Sequence, residues 1–217
     1  QRDFAYAMHG AITTNLSRIC AGIVNVTAHR STIQYRESRK TASEIARELD
    51  VDAVIEGDVY SSDKQVRITV QLIAMNPERH LWQEEYTKEM KDILLLQNQV
   101  AQAIADSIKV TMSAEESIRL EQTKPVNPEA YNLFVQGQQF YYGAEFKKAI
   151  EFLEKAILKD PTFSQAYGLL SSCYQWLDKI KAKLLADRAL ELDPSLAVPH
   201  LTYAYLYERA FEWQKAE

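Results

Sequence analysis

The groups most able to hold a metal, carry a proton or attack a carbon in this 217-residue chain are four histidines, two cysteines and 30 acidic residues. His9, His29, His80 and His200 share no metal-ligand spacing, and none stands beside a cysteine or carboxylate in a zinc pattern. Cys20 and Cys173 are far apart and each lies among apolar residues, so both read as small buried hydrophobes and no disulfide framework follows. Glu84 and Glu85 could be an acid/base pair, but neighbours on a strand point to opposite faces and do not converge on one substrate. Ser61-Ser62 falls in a turn with no local histidine or lysine arranged to activate a hydroxyl. Six glycines are scattered singly, which gives no phosphate-cradling loop; Gly57 reads as relief for a crowded or bulged strand. On these grounds the expectation is no catalytic residue, no metal site, no cofactor and no enzymatic role.

The elements that would position such groups change character halfway along the chain. Phe4, Met8, Ile12, Leu16 and Ile19 recur at helical steps. Gly22-Ile23-Val24-Asn25-Val26 is short, β-branched and bounded by glycine, which predicts a buried strand. Thr41 followed three residues on by Glu44 is a capping box opening a helix to Leu49. Val54 to Tyr60 and Val66 to Leu72 alternate apolar and polar residues on either side of Ser61-Ser62-Asp63-Lys64, a β-hairpin. A strand from Leu81 to Tyr86 and a helix from Ile93 to Val110 complete an α/β first half, with a mixed sheet, ending near Met112.

The second half has no strand pattern and repeats itself. From Ala149, the residues Leu153, Ala156 and Pro161 follow at offsets of four, seven and twelve; from Ala182, so do Ala186, Ala189 and Pro194. Tyr167, Ser171 and Tyr174 stand after Pro161 as His200, Ala204 and Tyr207 stand after Pro194. Small residues at Gly137, Ser171 and Ala204 allow close helix approach, and Phe140, Tyr174 and Tyr207 fill the adjoining space. This pattern resembles the tetratricopeptide repeat, whose period is ~34 residues. The spacing from Pro161 to Pro194 is 33, the missing residue falling between Tyr174 and Ala182. Two complete repeats and the start of a third, from Ala197 to Glu217, are expected, opened by the cap Asn127-Pro128-Glu129.

The first half resembles the TolB-like amino-terminal domain that precedes such repeats in bacterial signalling proteins. The resemblance is carried by residues 12–19, by Ile45-Ala46-Arg47-Glu48-Leu49 with Val54-Ile55-Glu56-Gly57-Asp58-Val59, by residues 66–73, by His80-Leu81-Trp82 with Glu85-Tyr86, and by Leu96-Gln97 with Val100-Ala101. It implies a domain of larger regulators such as adenylate-cyclase-like proteins, protein kinases and membrane-anchored winged-helix regulators, normally opened by a strand that this stretch lacks. The organisation expected is a TolB-like α/β domain over 1–112, a linker and lead-in helix over 113–129, and an all-α repeat array over 130–217. The connector Thr123 to Pro128 carries two prolines and reads as stiff.

What the repeat resemblance implies for binding is a concave groove. Carried onto this sequence, its positions are Tyr131, Phe134, Gln138 and Tyr141; Gln165, Gly168, Ser172 and Gln175; Val198, Leu201, Tyr205 and Glu208. Such a groove is aromatic and amide-rich, suited to a peptide or protein partner. Phe134 and Gln138 stand where chaperone-binding relatives place lysine and asparagine, so capture of a chaperone tail is not expected. The expected function is a non-catalytic interaction and scaffolding segment of a larger signalling protein; the alternative is a small-ligand sensor with its pocket in the α/β half. A net charge of -5 argues against nucleic acid, and no apolar run of ~18 residues offers a membrane span. The segment reads as soluble, in the cytoplasm or on the outer face of a bacterial inner membrane. The last helix carries Leu201, Tyr203, Leu206, Tyr207 and Phe211 without a following cap, which predicts further repeats and either self-association or fraying through the Tyr203 and Tyr207 face.

Overall fold

In a computed structural model of the chain the described residues are 2–36, 38–75, 77–110 and 123–209. They form two compact units, Gln1–Pro125 and Val126–Glu217. Most of the lead-in helix expected over 113–129, and Phe211 with the residues after it, lie outside the described residues.

The first unit opens with α1 (Arg2–Ile19), whose Phe4, Met8, Ile12, Leu16 and Ile19 are buried, as the periodicity requires. The chain reverses through Gly22, whose φ of +75 is one that residues with a Cβ rarely adopt. A short helix α2 (His29–Thr32) follows, continued by a single 3₁₀ turn, then α3 (Ala42–Leu49). At the start of α3 the Thr41 hydroxyl accepts from the Glu44 amide, and the Glu44 carboxylate accepts from the Thr41 amide at 2.7 Å. Three consecutive strands, β1 (Ala53–Ser61), β2 (Gln65–Ala74) and β3 (Arg79–Glu89), pair in the order β1-β2-β3. Both pairings are antiparallel, so the expected mixed sheet is corrected: short turns join successive strands, and only a long crossover would make them parallel. Gly57 is crowded as expected, since a Cβ there would lie 2.6 Å from the Thr69 carbonyl oxygen. The irregularity in register falls instead between Leu72 and Ile73.

Val66, Ile68, Val70 and Leu72 alternate along β2 and are all buried. Helix α4 (Ile93–Ser107) buries Ile93, Leu96, Val100 and Ile104, and it packs on α1 and on the sheet. One polar thread crosses that layer: Asn15 Nδ2 donates to Asn98 Oδ1 at 2.8 Å, and Asn98 Nδ2 to Thr123 Oγ1 at 2.7 Å. The strand expected over Gly22 to Val26 is absent. Ile23 is 63% exposed there, and the segment is coil, because β-branched residues hold a strand only when a neighbouring strand takes up their backbone groups.

Among its described residues the second unit has helices as its only regular structure: α5 (Pro128–Tyr142), α6 (Phe146–Lys159), α7 (Ser164–Tyr174), α8 (Lys179–Leu192) and α9 (Ala197–Arg209). Asn127 caps α5, its side chain accepting from the amides of Glu129 and Ala130, with Pro128 in the first turn. Consecutive helices pack in hairpins, and Ala149, Leu153, Ala156, Ala182, Ala186 and Ala189 are wholly buried between them. The two hairpins stop by the same chemistry: Asp160 Oδ1 accepts from the Thr162 amide at 3.0 Å, and Asp193 Oδ1 from the Ser195 amide at 3.0 Å, each around an Asp-Pro pair. No described helix is long and apolar enough to cross a membrane.

Candidate functional site

Helices α5, α7 and α9 carry the sequence-derived groove positions. Their composition differs sharply from that of α6 and α8. Helix α7 has no charged residue and α5 has only Glu129, which is ion-paired with Lys159 at 2.9 Å; α6 and α8 hold lysines and carboxylates throughout. The face offers aromatic rings, amides and hydroxyls.

Tyr131 is buried, its ring 6.3 Å from both Phe134 and Phe163, so it supports the face from beneath and is corrected as a surface contact. Ser172 is corrected likewise: its hydroxyl shares a 3.2 Å hydrogen bond with Thr202 on α9, beside a 3.0 Å bond from Ser171 to the same group. Gly168 belongs to that seam too, since a Cβ there would touch Pro199 at 3.4 Å. Helical spacing puts these residues on the groove side of α7, but α9 closes over that side and consumes them. Phe134, Gln138, Tyr141, Gln165, Gln175 and Tyr205 are partly buried, while Glu208 is exposed and Leu201 is 67% exposed. The Gln138 side-chain oxygen is buried without a hydrogen-bond partner. Sequence reasoning missed Trp176. It lies in the turn after α7, 60% exposed, with its ring 4.3 Å from that of Tyr205. An aromatic residue next to a groove glutamine was the available signal.

Elsewhere in this unit Lys181 Nζ donates to Tyr174 Oη at 2.7 Å and to Glu154 Oε1 at 3.0 Å. The bond to Tyr174, then that to Glu154, raises the Lys181 pKa, so the amine stays protonated and ties α8 to its neighbours instead of acting as a base. Tyr203 donates to Asp187, and its ring stacks on Tyr207 at 5.7 Å, so the face expected to self-associate is engaged in part by α8.

In the first unit two histidines with no shared spacing meet. The His9 and His29 ring centroids are 4.5 Å apart, Tyr6 packs on His29 at 4.4 Å, and both His29 ring nitrogens are buried without a hydrogen-bond partner. Burial, and then the neighbouring His9, bring the His29 pKa down to about 4. Cys20 and Cys173 are free and buried, and burial pushes the Cys173 thiol up to about 12. Among the described residues no three histidine, cysteine or carboxylate groups are gathered to hold a metal.

No family model matches the chain. A protein of Rhizobium meliloti (strain 1021) named "Putative adenylate cyclase 3" is 30% identical over 206 residues, which is 95% of this chain and 30% of that protein. The chain thus spans 30% of the length of the curated relative it matches. This finding overturns the expectation of no enzymatic role: the relative that aligns with nearly the whole chain carries the name of an enzyme, and missing local motifs speak only for the residues in view.

Proposed function

We propose that this chain is the regulatory, partner-receiving part of an adenylate-cyclase-like signalling protein. In this reading a TolB-like α/β unit is followed by tetratricopeptide hairpins. The face of α5, α7 and α9 receives a peptide or protein segment, and its occupancy is passed to cyclase activity carried by the whole protein.

The observation that supports the binding face is its segregation of charge. A surface of rings and amides, uncharged along α7 and with one carboxylate along α5, contrasts with the lysine- and carboxylate-bearing helices α6 and α8. Aromatic and amide groups supply contact area and orientation at interfaces. The cyclase part of the reading rests on the relative of Rhizobium meliloti. The matching Asp-Pro stops and buried alanine rows support the repeat reading.

The test is cyclic AMP output of the full-length protein in its own cells. Leu201→Glu and Tyr205→Ala, at equal protein level, are expected to change output by about fivefold or more, the low end of ordinary coupling between sites. Leu158→Glu, at an exposed position on α6, should leave it unchanged. No cyclic AMP from the protein would sink the cyclase assignment, and equal output from all variants would sink the regulatory one.

A further inference from the structure

The two imidazoles that meet in the first unit come from separate elements, His9 from α1 and His29 from α2. Their ring centroids are 4.5 Å apart, with the ring planes at 78°. We infer that His9 and His29 form a binding site for a divalent transition-metal ion such as zinc, with water in its remaining positions.

Spacing is the first support. Two imidazoles that share a zinc ion hold it through nitrogens at ~2.0–2.1 Å, which sets each ring centre about 3.2 Å from the metal and the two centres about 4.5–5.2 Å apart for ligand angles of about 90–109°. The observed 4.5 Å falls at the near end of that range. Unused nitrogens are the second. Both His29 ring nitrogens are buried without a hydrogen-bond partner, and a polar group left so costs stability until an ion or a water takes it up. Thr32 Oγ1 lies 3.4 Å from His9 Nε2, but its one hydrogen is donated to the His29 carbonyl oxygen at 2.9 Å, so it gives no proton to that nitrogen. Room is the third. Gly10, the neighbour of His9 in sequence, has no Cβ, and the place that a Cβ would fill is 3.6 Å from His29 Nε2. His9 keeps part of its surface in water, which gives an ion an entry path. Burial lowers the His9 pKa, and burial followed by the neighbouring His9 lowers that of His29, so both rings are neutral at pH 7 and binding displaces no proton. Neutral imidazole suits zinc, nickel and copper, whereas magnesium and calcium take oxygen ligands. With two protein ligands in place of the four of a structural zinc site, the ion is exchangeable, and its binding ties α2 to α1.

The probe is Zn²⁺ added to the chain near neutral pH, with Mg²⁺ as the control. Calorimetry gives the affinity, and long-range proton–nitrogen spectra of the histidine rings show which nitrogens respond. Zn²⁺ is expected to bind saturably and to move the ring nitrogens of His9 and His29 while those of His80 and His200 stay in place; Mg²⁺ should do nothing. His9→Gln and His29→Gln should each weaken Zn²⁺ binding about tenfold or more, since loss of even an outer partner of a metal site costs that much. Gly10→Ala, which favours the helix of α1 and fills the space beside His29 Nε2, should weaken it likewise. Circular dichroism without zinc shows whether each variant keeps its fold; if a histidine variant does not, the ring spectra of the native chain and the Gly10→Ala affinity decide. Absence of saturable binding, an equal response to Mg²⁺, signals that move only at His80 or His200, or unchanged affinity in folded His9→Gln, His29→Gln or Gly10→Ala overturns the site.

Discussion

Replacing Gly137 by alanine tests how α5 meets α6. A Cβ at this position would lie 2.8 Å from Leu153 Cγ, 3.0 Å from its Cδ2 and 3.4 Å from the Ala149 carbonyl oxygen. Leu153 is wholly buried in a cluster with Ala149, Leu169, Leu170 and Cys173. Overpacking of that kind costs about 1–3 kcal/mol, and the better helix propensity of alanine returns about 1 kcal/mol; a contact under 3 Å to a wholly buried side chain puts the cost at the upper half of that range, about 2–3 kcal/mol, so Gly137→Ala should destabilise by roughly 1–2 kcal/mol. The second unit has about 90 residues, which turns each kcal/mol into about 4–8 °C of melting temperature. Leu153→Ala alone should cost about 2–5 kcal/mol by leaving a cavity. In that background the clashing atoms are gone, and Gly137→Ala should now stabilise by about 1 kcal/mol, a coupling of roughly 2–3 kcal/mol between the two sites. Urea unfolding read at 222 nm measures both cycles, and hydrogen exchange of α5 and α6 peptides locates the change. A Gly137→Ala effect of the same sign in both backgrounds would refute the close-contact reasoning.

Acidification should loosen the first unit through His29. Its pKa is near 4 in the fold against 6.5 when unperturbed. Above pH 6.5 both states are neutral and nothing is lost; as pH falls through that window the unfolded chain takes the proton first, and stability declines until both states are charged. The full shift would be about 3 kcal/mol, and discounting for solvent screening of a half-buried ring leaves roughly 1–2 kcal/mol. His29→Phe should flatten the dependence, as amide exchange of α1 at pH 7 and pH 4.5 would reveal; an unchanged profile contradicts the assignment. Thr41→Ala removes the capping box of α3 and should cost about 1 kcal/mol, with faster exchange at the amide of Glu44, which Thr41 now holds.

The features legible in the sequence are those set by short-range physics. The step of four from Phe4 to Leu16, the Thr41 and Glu44 cap, the alternation through β1 and β2 and the Asp-Pro stops each depend on residues a few positions apart. Gly22 to Val26 was misread because strand formation needs a partner strand, which a β-branched run does not supply by itself. At the site, helical spacing put Ser172 on one side of α7 but could not show what packs there: Thr202, 30 residues from Ser172, is what withdraws that hydroxyl from the surface. His9 and His29 meet only because the chain reverses at Gly22. Trp176 gained its place from Tyr205, a contact between the turn after α7 and helix α9 that no local pattern announces.

The central claim, that the face carrying Leu201 governs cyclase activity, is tested most directly by loading that face covalently. Both cysteines of this chain are buried, and burial pushes the Cys173 thiol up to about 12, so within the chain a cysteine introduced at an exposed position should be labelled selectively. Leu201→Cys and Leu158→Cys versions of the purified full-length protein, with any cysteines outside this chain replaced by serine, are each treated with a bulky maleimide, and cyclic AMP formation from ATP is followed. The account expects labelling at position 201 to change the rate by about fivefold or more while labelling at position 158 leaves it within about 1.5-fold. Equal rates for the two labelled proteins would contradict it.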